Sequence, residues 1–218
     1  MTSDPIKQPR RRKRSAAAGL SAAGAAAMLS ACDPAPDLEQ VSRERYGAPT
    51  EVAAFTGVAE CVASGTFTED QCNEAQRDAW TNDEAQAPRF EDRQTCEEQF
   101  GENACQPRTT GGQSFFTPLL TGFMIGQLMD GGRSRYRYSG LYRNNREGIY
   151  YHPSGAWLYN GGRGGRGYGY QMGSRALATP VTTQRIQTRS SVVSRGGFGG
   201  RASARGGGWG GGSRGFGG

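Results

Sequence analysis

Five cysteines, and the places where they fall, constrain this chain more than any other feature. Cys32 follows Leu29-Ser30-Ala31 and belongs to an export signal considered below. The other four, Cys61, Cys72, Cys96 and Cys105, crowd into the middle of the 218 residues. Four thiols admit three pairings. The spacing favours two local ones, with ten residues between Cys61 and Cys72 and eight between Cys96 and Cys105. A weak repeat with an offset of 35 residues supports them, since Phe55 stands six before Cys61 and Phe90 six before Cys96. Each unit reads as a short helix, a glycine and a return to the second cysteine. Asp92 caps a helix running through Phe100, and Gly101 takes the left-handed position after it; Gly65 plays that part in the first unit. The expectation is Cys61–Cys72 and Cys96–Cys105. Each bond contributes about 2–4 kcal/mol, mainly by restricting the unfolded chain. Zinc ligands usually stand about two to four residues apart. These do not, the single histidine His152 is remote, and no C-x-x-C redox motif occurs. Neither a metal nor another cofactor is expected.

Between the units lies the clearest helix of the chain. Thr68 is its N-cap, and Gln71 completes a capping box. Phe67 and Cys72 occupy the staple positions, and the helix runs through Trp80 and stops before Pro88. Cys72, Ala75 and Ala79 make a narrow small-residue stripe at helical spacing.

The N-terminus reads as an address. Arg10 to Arg14 form a basic run, and Ala16 to Met28 a short, mildly apolar one, too weak to span a membrane. Leu29-Ser30-Ala31-Cys32 then resembles the bacterial lipobox, in which the cysteine thiol is acylated and becomes the new N-terminus. Residues 1–31 are therefore expected to be a lipoprotein signal peptide, with Cys32 lipidated. Two or more acyl chains anchor stably where one does not. The expected location is the cell envelope, lipid-anchored and facing the periplasm, with inner and outer membrane both open. Residues 32–54 then form a linker, and residues 55–108 the helical cysteine domain.

Charge and glycine divide the remainder. Residues 32–130 carry 18 acids and six Arg, whereas residues 131–218 carry 14 Arg and only Glu147 as acid. Hydrophobic residues make up 35% of the chain, and 25 of its 35 glycines lie after residue 130. Such a tail buries too little surface to offset ordering entropy. Residues 131–218 therefore read as a disordered Arg/Gly/Tyr-rich segment, with short β-hairpins within Tyr136 to Tyr159 and short strands at Val181 to Ile186 and Val192-Val193. Arginines interleaved with aromatics suit polyanions. Arg133, Arg135, Arg137, Arg163, Arg166 and Arg195 are the candidates. In an exported chain the polyanion is a phospholipid, lipopolysaccharide or similar envelope component rather than nucleic acid such as RNA. With the signal removed the net charge is +1, acidic near the anchor and basic at the far end.

The stretch Phe115 to Met129, F-F-T-P-L-L-T-G-F-M-I-G-Q-L-M, is the most hydrophobic after the signal. Residues 114–130 read as a helix, whose apolar stretch Phe115 to Met129 would be about 22 Å long, short of the roughly 30 Å hydrocarbon core. Gly122 and Gly126 form G-x-x-x-G, which permits close helix approach. Three roles stay open: a core helix, an interfacial helix beside the anchor, or a self-association face. Phe115, Phe116, Phe123, Met124, Leu128 and Met129 supply its apolar surface.

The lipobox, the F-x5-C…C spacing seen twice, the segment Ser114 to Met129 and the late Val193-Ser194-Arg195-Gly196-Gly197-Phe198-Gly199 together resemble the YgiB-like family of proteobacteria. In that family the apolar segment is similar to S-F-W-M-P-L-M-A-G-Y-M-M-G-R-L-M. The resemblance implies an uncharacterised envelope lipoprotein and no activity. The fold expected is mostly disordered, with a small α-helical, disulfide-stapled domain. The function expected is a structural or binding role in the envelope, with an Arg/Gly-rich polyanion binder as the alternative. No enzyme is expected, because His152 lacks a nucleophile setting and no phosphate loop appears.

Overall fold

The middle of the chain folds as its capping residues dictate. The computed structural model describes residues 37–130, 133–159 and 169–200. Residues 1–31, expected to be a signal peptide, Cys32, Arg163, Arg166 and residues 201–218 lie outside the described residues, as do the side chains of Met129 and Arg133. Asp37 caps α1 (Leu38–Tyr46) by accepting from the Glu39 N–H. After β1 (Pro49–Phe55) and α2 (Val58–Ala63) comes α3 (Glu69–Gln86), where Thr68 and Gln71 satisfy each other's backbone N–H groups. Beyond β2 (Arg89–Phe90), α4 (Arg93–Phe100) is capped by Asp92, which accepts from the Thr95 N–H. Gly65 and Gly101 follow helices at φ of 66° and 101°. The disulfides are Cys61–Cys72 and Cys96–Cys105. The first pins α2 to the start of α3, and the second pins α4 to β3 (Cys105–Thr110).

From there the fold departs from expectation. The chain is mixed α/β, not mostly disordered with a small helical domain. It continues through β4 (Gln113–Pro118), β5 (Leu120–Asp130), β6 (Arg133–Asn144), β7 (Ile149–Tyr151), β8 (Gly169–Gly173), α5 (Ser174–Ala178), β9 (Ile186–Gln187) and α6 (Arg189–Ser194). A single 3-10 turn, Phe198–Gly200, follows. One sheet has the order β7-β6-β5-β1-β8 and is antiparallel throughout. The other has the order β3-β4-β2-β9, with only β2 and β9 parallel.

The apolar stretch 114–130 is two strands, not a helix. The physical reason lies in β5, which is covered on both faces. Met124 packs inward with Val52, Leu141 and Met172, while Phe123 and Ile125 pack outward beneath α2 and α3. A strand buried on both sides has no polar alternation, so its sequence reads like a buried helix. The tail is corrected likewise. Residues 133–159 and 169–173 supply three of the five strands of the larger sheet. The Tyr136–Tyr159 hairpin expectation holds for β6 and β7, which turn at Asn144–Gly148, where the Gly148 N–H donates to the Asn144 carbonyl. Val192 and Val193, expected in a strand, are in α6.

The larger sheet curls. Tyr151 bridges Trp157, and Tyr159 exchanges two backbone hydrogen bonds with Gln171, at 3.0 and 2.7 Å. Residues 157–159 thus join β7 to β8, the two edges of the sheet, into a half-barrel with a stave across its opening. The Tyr150 and Tyr170 rings, one from each edge, meet at 6.1 Å. The interior holds Val52, Met124, Leu141, Leu158 and Met172, with Leu177 of α5 reaching in. Outside, Cys72, Ala75 and Ala79 seat α3 on Phe55, Phe123 and Ile125. A third cluster, with Phe90, Phe100, Tyr142, Tyr151, Trp157 and Phe198, cements the smaller sheet to the half-barrel. At its border the Tyr142 hydroxyl donates to the buried Asp83 carboxylate at 2.7 Å, and Arg108 pairs with the same carboxylate. Burial holds the Tyr142 phenol protonated well above its usual range. That network ties α3 to β3 and β6.

Candidate functional site

The candidate site is built on the glycine-rich run that the composition assigns to disorder. After α6 the chain reads Arg195-Gly196-Gly197-Phe198-Gly199-Gly200. Phe198 is buried, with its ring 5.4 Å from that of Phe100, 5.7 Å from Tyr151 and 6.3 Å from Phe90. Its backbone N–H donates to Gln99 Oε1 at 2.8 Å. The Gly199 carbonyl accepts from Arg45 Nη1 at 2.7 Å and from the Tyr46 hydroxyl at 3.1 Å. Glycine is required here. A Cβ on Gly199 would stand 2.0 Å from the Gly155 carbonyl oxygen, and one on Gly200 would stand 1.5 Å from Arg45 Nη1. Both residues also have φ near +70°, which side-chain-bearing residues seldom adopt. The run is a strap, hooked into the core by one phenylalanine and held by α1.

Between strap and α1 lies a cleft of about 780 Å³. Arg45 and Tyr46 enter from α1, Ser154 from the turn after β7, Thr182 to Arg185 from the loop before β9, and Ser194, Arg195 and Gly197 to Gly200 from the end of α6 and the strap. Three of these residues are arginine, and none of the described lining residues is acidic. All three arginines are exposed. Each is a permanent cation. Arg45 is steadied by Gly199, and Arg195 by the Ser191 carbonyl at 2.8 Å and Gln187 Oε1 at 2.7 Å. Burial raises the Tyr46 phenol, with Arg45 and Arg195 pulling the other way, so it stays a neutral donor to Gly199.

His152 shapes the same wall from behind. Its side chain is buried, and Nδ1 lies 2.8 Å from Ser154 Oγ and accepts from the Ser154 N–H at 3.2 Å. The Gly155 N–H closes the turn on the His152 carbonyl at 2.9 Å. Burial lowers the imidazole to about 4, so it is neutral at pH 7 and serves the turn that presents Ser154 and Gly155.

The residues singled out from the sequence scatter. Cys61, Cys72, Cys96 and Cys105 are buried in two disulfides. Phe115, Phe123 and Met124 are spent inside the fold, and Phe116 and Leu128 are half-buried. Arg89 stacks on Phe115 and Arg93 on Phe116, with the guanidinium carbons 4.6 and 5.3 Å from the rings. Gly122 and Gly126 permit close approach, but within the half-barrel: Gly122 abuts the Phe55 carbonyl, and Gly126 lies under Leu177. Arg135 and Arg137 share one face of β6 by register and are exposed there, outside the described cleft lining. Of the three candidate arginines whose side chains are described, Arg135, Arg137 and Arg195, Arg195 lines the cleft. Sequence reasoning missed Arg45 and Arg185. The one available signal was Phe198, a single large apolar residue inside a glycine run.

The fold and cleft define a disulfide-stapled α/β half-barrel domain with an arginine-lined cleft closed by a glycine strap. The chain belongs to the family described as "Protein of unknown function (DUF1190)", which matches residues 49–209. It is similar to a UPF0441 protein of Klebsiella pneumoniae, 27% identical over 68% of this chain and 70% of the relative. A UPF0441 protein of Erwinia tasmaniensis is 26% identical over 82% and 77%, and one of Pectobacterium atrosepticum 25% over 68% and 69%. These relatives bear out the resemblance drawn from the cysteines and the apolar segment. No solved structure matches the chain.

Proposed function

We propose that this chain is a lipid-anchored protein of the bacterial cell envelope whose folded domain binds an anionic ligand in the arginine cleft. The observation that carries the binding role is the convergence of Arg45, Arg185 and Arg195 on one cleft without an acidic residue in its described lining. This described lining favours a ligand that carries negative charge. The address is supported by the lipobox Leu29 to Cys32 and by two disulfides of the kind that persist in oxidising compartments. Among the described residues no helix is long and apolar enough to cross a membrane, so attachment rests on the acylated Cys32.

Two measurements test this reading. Radiolabelled palmitate incorporation and membrane fractionation should both be lost in Cys32→Ser, and unchanged labelling would refute the anchor. Retention on immobilised lipopolysaccharide should fall steeply with salt, as contacts to phosphate-bearing polymers do. It should also collapse in a variant carrying Arg45→Gln, Arg185→Gln and Arg195→Gln. Equal retention of that variant and the native chain refutes the cleft.

A further inference from the structure

We propose that the cleft takes a phosphate monoester carried on a hydroxylated body, a sugar phosphate or a glycerol phosphate. The inference rests on the anion-binding reading and narrows it. Three arginines line the cleft, Arg45 from α1, Arg185 from the loop before β9 and Arg195 from the end of α6. Guanidinium forks match phosphate and carboxylate oxygens in pairs. A phosphate monoester presents three strong acceptor oxygens and carries close to two negative charges at pH 7. A carboxylate or a sulfate ester brings only one charge to three cations.

The rest of the wall selects the carrier. Thr182, Thr183, Ser154 and Ser194 offer hydroxyls, and Gln184 an amide. Such groups both donate and accept, as a polyol requires. The strap contributes glycine backbone, and the Phe198 ring is withdrawn into the core, so an acyl chain finds little apolar surface. The volume of about 780 Å³ exceeds what a bare phosphate needs and falls in the range of small-molecule sites.

Isothermal titration of the purified full-length chain tests this, with glucose 6-phosphate, glucose 6-sulfate and citrate as probes. A parallel arm uses phosphatidylcholine vesicles with and without phosphatidic acid, which carries the same phosphomonoester on a lipid. Glucose 6-phosphate should bind at least about tenfold more tightly than the sulfate ester and citrate, and tighter binding of the phosphatidic acid vesicles would overturn the hydroxylated carrier in favour of a lipid one. Each of Arg45→Gln, Arg185→Gln and Arg195→Gln should raise Kd about tenfold, the usual cost of a charge-assisted hydrogen bond. Arg135→Gln with Arg137→Gln removes two charges away from the cleft, one more than any single cleft variant, and should leave Kd within about twofold. Affinity for the phosphate ester should fall as pH drops through about 6, where the ligand gains a proton, while the arginines stay charged. Arg185→Gln carries the test if the Arg45 variant, which also loses its bond to Gly199, melts early. Equal binding of phosphate and sulfate esters overturns the phosphate inference and leaves the anionic cleft standing. No binding of any probe at low salt overturns both.

Discussion

His152 is a neutral imidazole locked behind the strap, its pKa lowered by burial to about 4. An unfolded histidine titrates near 6.5. As pH falls below that value the unfolded state takes up a proton that the folded state refuses. Stability from this residue is therefore whole above about pH 6.5, and about 3 kcal/mol of it drains away by about pH 4. Urea denaturation between pH 7 and 4 should show that loss. His152→Asn, less stable at pH 7 because it loses the Ser154 contacts, should show a shallower decline, and an equal slope in both proteins would refute the assignment. Gly122 makes a second residue-scale point. Its G-x-x-x-G spacing was legible, but the partner is not another helix. A Cβ at Gly122 would lie 2.2 Å from the Phe55 carbonyl oxygen, whereas one at Gly57 has nothing within 4 Å. Gly122→Ala should cost about 1–3 kcal/mol by overpacking β5 against β1, and Gly57→Ala less than about 0.5, read as shifts in the denaturation midpoint.

At the scale of elements, what could be read in advance was whatever a local rule decides. Thr68 and Gln71 start α3, Pro88 follows its end, Asp92 starts α4, and the cysteine spacing matches the two disulfides. Each depends on groups a few residues apart. What could not be read depends on partners far away in sequence. β5 lacks alternation because α3 covers one face and the half-barrel interior the other. The strap is ordered because Phe198 finds Phe90 and Phe100, about a hundred residues earlier, and no property of the run itself announces them. Its arginine was legible as a candidate, while Arg45 lay in the stretch 32–54 expected to be a linker and is placed by α1. Because one ring hooks the strap, Phe198→Ala should cost about 3–5 kcal/mol. It should also expose the Arg195–Gly196 bond, so limited trypsin digestion should cut there sooner than in the native chain. Unchanged cleavage at that bond would mean that the glycine backbone and Gln99 hold the strap without the ring.

For the whole molecule, the segregation of charge along the chain does not survive folding. The acidic stretch supplies β1 and β5, the basic stretch supplies β6, β7 and β8, and the acidic pair lies between basic strands within one sheet. Arg189 of the basic half also pairs with Glu98 of the acidic half at 2.8 Å. The described body is thus not acidic at one end and basic at the other, and its cationic character is local, at the cleft and on β6. The same interleaving decides which truncations fold. Ending the chain at residue 130 removes β6, β7, β8 and the 157–159 stave, which strips β5 and β1 each of its outer neighbour and uncovers Met124 and Val52. It also takes away Tyr142, leaving Asp83 buried without its hydroxyl donor. A chain ending at residue 200 keeps every described element, the strap included. Near-ultraviolet circular dichroism and urea denaturation should therefore show a cooperative transition for the longer truncation close to that of the full chain. The shorter one should show none, because an isolated β1–β5 pair and two disulfides cannot replace a shared core. Cooperative unfolding of the 130-residue form would mean that the cysteine units fold alone, and that the half-barrel is assembled onto them rather than with them.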